Sequence, residues 1–520
     1  MAHETKNVNE NIELARRFHA GTKHPGGSLM SPYHRYSAAI EPRKEKRYLD
    51  LPAESVHVNP NLCQLPALQA IRGSLIGKAD RAAAEQPDRD QLVQILHYSA
   101  GITKHIAYPG WGKIAFRAAA CTGALYHVEV YLVCNELPDL QAGVYHFNPV
   151  QNALTMLRSG DFRGELFSAS GFNPAVEQAP AVLVYTDVPI RNAIKYQARA
   201  YRHAFWDSGT ILANSFAVST ACGLPANLVL GFVDDQVNHL LGIDGKNEYA
   251  LALLPIGTAA PPPVTTAPIP ELAYAVEAVT PYPVDLSAIQ TMQAASQLPD
   301  SQSVARWRQT ALTATPHPPS ENRKFISLPN SEFPSDSIQS VITRRGSTRQ
   351  FSHQPISLDQ LSLVLKLAMQ PIPSDFENPE DQPISQAYLI VNAVDALPSG
   401  SYVYHPSVHA LEQLMRAELR NTARFLALGQ DLGGDASVNI YFLADLEPFL
   451  ERFGNRGYRA AMMDASLRAG RVYLAAYALG FGASGLTFYD DEVTKFFSPH
   501  GRGKSVLFLI TLGHRAHQSA

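Results

Sequence analysis

A pattern that recurs at a constant offset divides this chain into two copies of one folding unit. Gly143-x-Tyr145, Pro149 and Ala153-Leu154 return 257 residues later as Gly400-x-Tyr402, Pro406 and Ala410-Leu411. Tyr201-Arg202, Ala204, Asp207 and Gly223 return at the same offset as Tyr458-Arg459, Ala461, Asp464 and Gly480. One residue is then lost, so Phe232-x-Asp234-Asp235 and Gly257 return after 256 residues as Phe488-x-Asp490-Asp491 and Gly513. Arg72-Gly73-Ser74 aligns in the same way with Arg345-Gly346-Ser347. A register kept over so many separate elements marks an internal duplication.

Within each copy the periodicities alternate between helix and strand. After the first Arg-Gly-Ser, Leu92, Ile95 and Leu96 share one helical face; after the second, Leu361, Val364, Leu365 and Ala368 do so, behind Pro355 and a Ser357 N-cap. Residues 126–134 and the counterpart near 388–394 are rich in β-branched and aromatic residues and read as strands. A long helix (about 199–222 and about 456–480) and a last apolar strand ending at Gly257 or Gly513 complete each unit. The expectation is an α+β fold of two tandem layered domains, 1–258 and 331–520. A Pro-rich linker, 259–330, opens with Pro261-Pro262-Pro263 and carries short helical pieces, such as 304–311. At about 70 residues it is long for a structureless connection, which predicts that part of it packs on a domain.

The run Arg345-Gly346-Ser347-Thr348-Arg349 offers two guanidiniums and a hydroxyl at i, i+4 and i+2. Such a set can converge on one dianion, because the arginine fork matches phosphate oxygens. A solvated basic loop has the same composition, so the run alone does not decide. Net charge does not help either: 43 basic against 47 acidic residues give -4, with no excess that would suggest a nucleic-acid or membrane partner. The first seventeen residues hold no apolar targeting core, and no run approaches the roughly 18 apolar residues of a membrane span, so a cytoplasmic protein is expected. Cys63, Cys121, Cys134 and Cys222 are scattered, and neither a disulfide framework nor a metal site is expected from their spacing or from that of the histidines.

Gly101-Ile102-Thr103, Arg117, the segment Thr122-Gly123-Ala124-Leu125-Tyr126-His127-Val128-Glu129, and Gly143-x-Tyr145 together resemble the signature of SagB/ThcOx-type dehydrogenases of the nitroreductase superfamily. Phe18-His19 with Thr22-Lys23, and Tyr201-Arg202 ahead of Asp207 and Gly209, fit the same pattern. The resemblance covers both copies and implies nitroreductase-like domains, a central mixed sheet flanked by helices, joined as an intrachain pseudo-dimer. It also implies FMN at the interface, with a phosphate clamp from one unit, a flavin-facing loop from the other, and redox chemistry at the ring. A Lys-Tyr pair ahead of the long helix is implicated in proton transfer in relatives that act on peptide azolines.

Residue by residue, the two copies hold different halves of such a site. The second keeps Arg345, Ser347 and Arg349 and ends in His514-Arg515; the first has Ile76 in place of the second arginine and Thr258-Ala259 at its end. Conversely, the first copy keeps Cys121, Thr122, Gly123 and Leu125 of the flavin-facing loop and the pair Lys195-Tyr196. The second has Pro373-Ser374-Asp375 and Arg452-Phe453 at those places. One complete site between the copies, with a dead mirror image, is therefore expected, since an isologous interface otherwise gives two. Arg345, Ser347, Arg349 and Arg515 would bind the phosphate; Thr122, Gly123, Leu125 and Cys121 would face the ring; Ser484-Gly485 would bring an N–H near it. Cys121 stands where relatives have Ser, and a small cysteine packed under the ring competes with a redox thiol. Lys195 and Tyr196 can act as base and acid, or be a surface charge and a packed ring.

The function expected is an FMN-dependent oxidase or dehydrogenase of a peptide heterocycle or small natural product. Alternatives are an NAD(P)H-dependent nitro or quinone reductase and a non-catalytic flavin-binding scaffold. No nucleic-acid or membrane partner is expected, and a monomer is expected through the internal pseudo-dimer.

Overall fold

The computed structural model describes residues 8–26, 41–73, 86–108, 112–258, 260–264, 269–309, 324–378 and 383–516. Ser74 and Ile76 of the first Arg-Gly-Ser region lie outside them. Each copy builds one sheet against one long helix. The first sheet runs, edge to edge, through Glu54–Ser55, Ala153–Ser159, Gly143–Asn148, Val128–Cys134, Ala181–Asp187 and Tyr249–Ile256. The second runs through Gly482–Leu486, Ser505–Gly513, Val438–Ala444, Gln386–Val391, Gly400–His405, Ala410–Arg416 and Phe325–Ser327. Irregularities of register fall at matched places, Val144/Tyr145 with Ser401/Tyr402 and Tyr185/Thr186 with Phe442/Leu443. The duplication thus extends to the bulges. All strand pairs among the described residues of these two sheets are antiparallel. A mixed sheet was the expectation; here each connection, hairpin or helical, returns the chain beside its neighbour in the opposite sense.

The long helices, Ala200–Ala221 and Arg456–Ala478, are buried almost throughout their length and lie against one another at the centre. Buried on all sides, they belong to the core rather than to a surface. Their approach is set by glycine. A Cβ on Gly209 would stand 1.8 Å from Ser466 Oγ, and one on Gly470 would stand 2.5 Å from Ala213 Cβ. Buried apolar side chains form one continuous cluster through both copies, so the pair packs as a single body.

Charge locks the seam twice. Arg199 and Arg202 of the first copy reach Asp490 of the second at 3.1 and 2.6 Å. Arg456 and Arg459 of the second reach Asp234 of the first at 2.6 and 2.9 Å. The N-terminal helix Glu13–Gly21 caps the first set: Arg202 donates to the His19 carbonyl and Thr22 Oγ1, and His24 N donates to Asp490. Between the copies, Ser287–Ala295 does the same for the second set, with Arg459 donating to the Gln293 carbonyl and Ser296 Oγ and Leu298 N donating to Asp234. The proline-rich segment also holds a second helix, Ser301–Gln309.

Cys63 and Cys222 form a disulfide. The sequence suggested no such bond because 159 residues separate the two. Folding brings the segment before Ala67–Arg72 against the C-terminal end of the first long helix, which puts the two sulfurs together. No helix among the described residues is long and apolar enough to cross a membrane.

Candidate active site

Helix Ile338–Arg344 begins at a Ser337 side-chain cap and stops where Arg345 turns to an extended conformation. The chain then runs beside two other strands: Thr348 N donates to the Ala483 carbonyl, Ser352 N to His514 O, and Ala516 N to Gln350 O. Gly482 is required at this crossing, since a Cβ there would lie 2.1 Å from Thr348 Oγ1 and 2.8 Å from Arg515 Cγ. These pairings bring the 345–349 run and Arg515 to one edge. Arg349 and Arg515 are exposed. Arg345 is buried over the Tyr473 ring and donates across the seam to the carbonyls of Ala118 and Arg117, at 2.9 and 3.3 Å.

Lys104, on strand Ile102–Tyr108 of the first copy, joins them. Its ammonium donates to the Arg344 and Arg345 carbonyls, and burial together with the Arg345 and Arg515 charges pushes its pKa down. Among the described residues no carboxylate pairs with Lys104, Arg345, Arg349 or Arg515. Cations packed together in this way call for a polyanion.

The first copy supplies the opposite wall. Between Cys121 and His127 the chain makes a tight turn in which Gly123, Ala124 and Tyr126 all have positive φ. Asp207, from the first long helix, holds it: both carboxylate oxygens accept from Thr122 N, and Thr122 Oγ1 donates to Oδ1 at 2.8 Å. Leu125 is a buried anchor and Gly123 is exposed. A Cβ on Gly123 would come within 2.8 Å of Tyr196 Oη, so the bare backbone and the tyrosine hydroxyl meet at the surface of the turn. Cys121 points the other way, its thiol 3.1 Å from Asp207.

Lys195 and Tyr196 end the helix Ile190–Tyr196. The Lys195 ammonium lies 5.2 Å from the Tyr196 ring centroid, and burial lowers its pKa, the direction a general base needs. The ring of Tyr196 meets His203 edge-on at 4.7 Å, and burial and Arg199 keep that imidazole neutral. From His203 the wall continues through Trp206 to Phe508, whose ring would touch a Cβ on Gly485 at 3.4 Å. Gly485 is exposed, but its N–H donates to Tyr473 Oη, so in this structure that donor is engaged; Ser347 Oγ lies 3.4 Å from the same hydroxyl. Ser484 is buried, its carbonyl accepting from Thr511.

Lys104, Trp206 and Tyr473 were not singled out from the sequence. Position beside the Gly101-Ile102-Thr103 motif was the one available signal for Lys104; the two aromatic residues sit in helices where any core position can be aromatic.

The mirror position is built differently. Leu228 N donates to the Pro373 carbonyl and Asp375 N to Leu228 O, so the 373–375 segment pairs with the first copy. Asp375 accepts from the N–H groups of Leu230 and Gly231, and Arg471 donates to the carbonyls of Gln370 and Pro371. A cavity of about 410 Å³, lined among others by Ser374, Asp375, Phe376 and Arg452, adjoins this segment. It is Ser385 that bonds to Asp464 through its N and Oγ, as Thr122 does to Asp207. Arg72, the counterpart of Arg345, pairs with Glu332 at 3.0 Å.

The residues gathered on this side suit an aromatic flavin phosphate. The cation cluster answers a phosphate, the exposed glycine turn admits a flat ring at close approach, and the buried Trp206 indole N–H has no partner among the described residues.

The nitroreductase family model matches residues 82–258 and again 342–514. A crystal structure of a nitroreductase-type protein from Anabaena variabilis ATCC 29413 superimposes over 97% of this chain and 99% of its own, with a TM-score of 0.75 and 26% identity. MJ1384 of Methanocaldococcus jannaschii, named for the nitroreductases, is 26% identical over 156 residues, which is 29% of this chain and 77% of that protein. The microcin B17-processing protein McbC of Escherichia coli is 30% identical over 129 residues, 24% of this chain and 47% of McbC.

Proposed function

The chain belongs to the nitroreductase family, as two tandem copies of its domain, and from that premise we propose an FMN-dependent oxidoreductase of the SagB/ThcOx type with one working site per chain. The observation that carries this reading is the cluster of Arg345 and Arg515 of the second copy with Lys104 of the first, no described carboxylate pairing with them, beside the first copy's glycine turn, whose Tyr126 lies within reach of the Arg345 charge. FMN, when bound, would supply hydride acceptance. The chain's own residues would hold the phosphate through Arg345, Arg349, Arg515 and Ser347. They would present the Gly123 backbone to the ring, and Tyr196, with Lys195 above it, would deliver or take a proton beside Gly123. Partial similarity to a peptide-processing protein supports a peptide heterocycle or similar natural product as substrate, although the match spans less than half of that relative.

Similarity to proteins named for nitroreductases favours a second reading, reduction of nitro or quinone compounds by NAD(P)H. Rapid anaerobic bleaching of the flavin by NAD(P)H selects it; bleaching by azoline peptides alone selects the first. The test common to both is flavin released per purified chain. One FMN is expected, and a protein that neither carries FMN nor takes it up removes both readings.

A further inference from the structure

Beneath the Gly123 turn lies a group of ligand atoms that the proposed redox chemistry does not use. Cys121 Sγ, His127 Nε2 and Asp207 Oδ2 all lie within 4.8 Å of one another. Sγ stands 3.1 Å and Nε2 2.7 Å from the same carboxylate oxygen. On its far side, His127 Nδ1 contacts Asp187 Oδ1 at 2.6 Å, and Asp187 in turn accepts from Tyr249 Oη at 2.7 Å. A ring nitrogen aimed at the cluster while the other is held by a buried carboxylate is the arrangement of a metal-bound histidine with its outer carboxylate. Thr122 N and Oγ1 orient Asp207 in the same manner.

We propose that Cys121, His127 and Asp207 form a binding site for a borderline-soft divalent cation, zinc foremost, that pins the turn from below. Thiolate, imidazole and carboxylate are a donor set that zinc accepts in four-coordinate geometry. The ligand atoms now stand at hydrogen-bond spacing. Zinc bond lengths of about 2.0–2.3 Å need them about 3.4–3.6 Å apart, an opening of about half an ångström. A void of about 10 Å³ lined by Cys121, Asp207, Arg117 and Tyr126 adjoins the cluster, room for about one water as a fourth ligand.

The charge balance closes. Without metal, both His127 nitrogens meet carboxylates, so the ring is held as the imidazolium, and Cys121 keeps its proton. Binding M2+ releases the Sγ proton and the Nε2 proton as the Sγ–M and Nε2–M bonds form. Two positive charges leave as two enter, and the net charge of this buried region is unchanged. Sequence spacing hid the set, because Asp207 lies 80 residues beyond His127. Cys121 stands where the family resembled by the sequence carries Ser, so the thiolate ligand is a property of this chain and does not depend on which substrate the flavin site takes.

Cobalt is the probe. Two of the four cysteines are in the disulfide, which leaves Cys121 and Cys134 as the free thiols. Full-length protein, treated with a chelator and kept free of thiol reductants, is titrated with Co2+. One ion per chain is expected, with a near-ultraviolet thiolate-to-cobalt charge-transfer band that persists in Cys134→Ser and vanishes in Cys121→Ser. Calorimetry in buffers of different ionisation enthalpy should find about two protons released per ion, and His127→Gln should weaken binding at least about tenfold. Absence of the band in the wild-type protein, or its survival in Cys121→Ser, overturns the proposal and leaves a hydrogen-bonded cluster.

Discussion

Arg202 of the first copy donates to Asp490 of the second at 2.6 Å, and the same bond is made in the reverse direction by Arg459 and Asp234 at 2.9 Å. Each arginine is wholly buried, so each bond joins two desolvated charges that the N-terminal helix, or its counterpart between the copies, completes with carbonyls and a hydroxyl. Such pairs are costly to break singly. Arg202→Met should lower unfolding free energy by about 3–5 kcal/mol, because Asp490 is left buried with one arginine; urea denaturation with matched m-values checks it. The two arginines hold the Asp490 carboxyl well below the usual carboxylate range. Its contribution is therefore complete above about pH 4 and is lost as pH falls toward the depressed folded value.

Arg349→Ala and Arg515→Ala should each weaken FMN binding about 10- to 100-fold with the fold intact, since both side chains are exposed and each would lose a charge-assisted bond of about 1.5–3 kcal/mol. Fluorescence titration of FMN measures this. Arg345→Ala should behave differently and also lower the melting temperature, because its guanidinium carries the bonds to the Ala118 and Arg117 carbonyls.

Flavin stoichiometry should be one per chain, measured after heat release, because the first copy has Ile76 and Ala259 where the second has Arg349 and Arg515. Two per chain would overturn the single-site reading.

Asp375, half-buried at the mirror position, has its pKa raised to about 6 by desolvation, against the pull of two backbone N–H groups. A raised carboxyl favours the fold while protonated. Its contribution is complete below about pH 4 and is lost as pH rises through about 6. Asp375→Asn should flatten the fall in stability between those values, read from thermal melts at several pH values.

Tyr196→Phe should slow turnover while FMN stays bound, whereas Gly123→Ala should disturb both. The added methyl would meet the Tyr196 hydroxyl on a backbone already at φ 65°. Comparing flavin content with the rate of flavin reduction separates the two effects.

Much of the candidate site can be read from residue type alone. The offset repeat, the arginines retained on one copy and the glycine turn retained on the other are all carried by side-chain identity, or by glycine where only glycine fits. Placement beside a partner was not legible: Cys121 turns beneath the loop toward Asp207, and Gly485 gives its N–H to Tyr473.

By itself, then, the sequence determined that the chain is a duplication with unequal halves, because chemistry that needs a guanidinium, a hydroxyl or a missing Cβ leaves a mark on residue type. Only the tertiary structure decided what roles backbone atoms and distance fill. The helix Ser287–Ala295 repeats the N-terminal helix, yet the repeat leaves little mark in the letters, because Arg202 and Arg459 each bind there a carbonyl that any residue provides and one hydroxyl, given by Thr22 in one case and Ser296 in the other. Cys63 with Cys222, and Cys121 with His127 and Asp207, likewise become neighbours only when packing closes gaps of up to 159 residues.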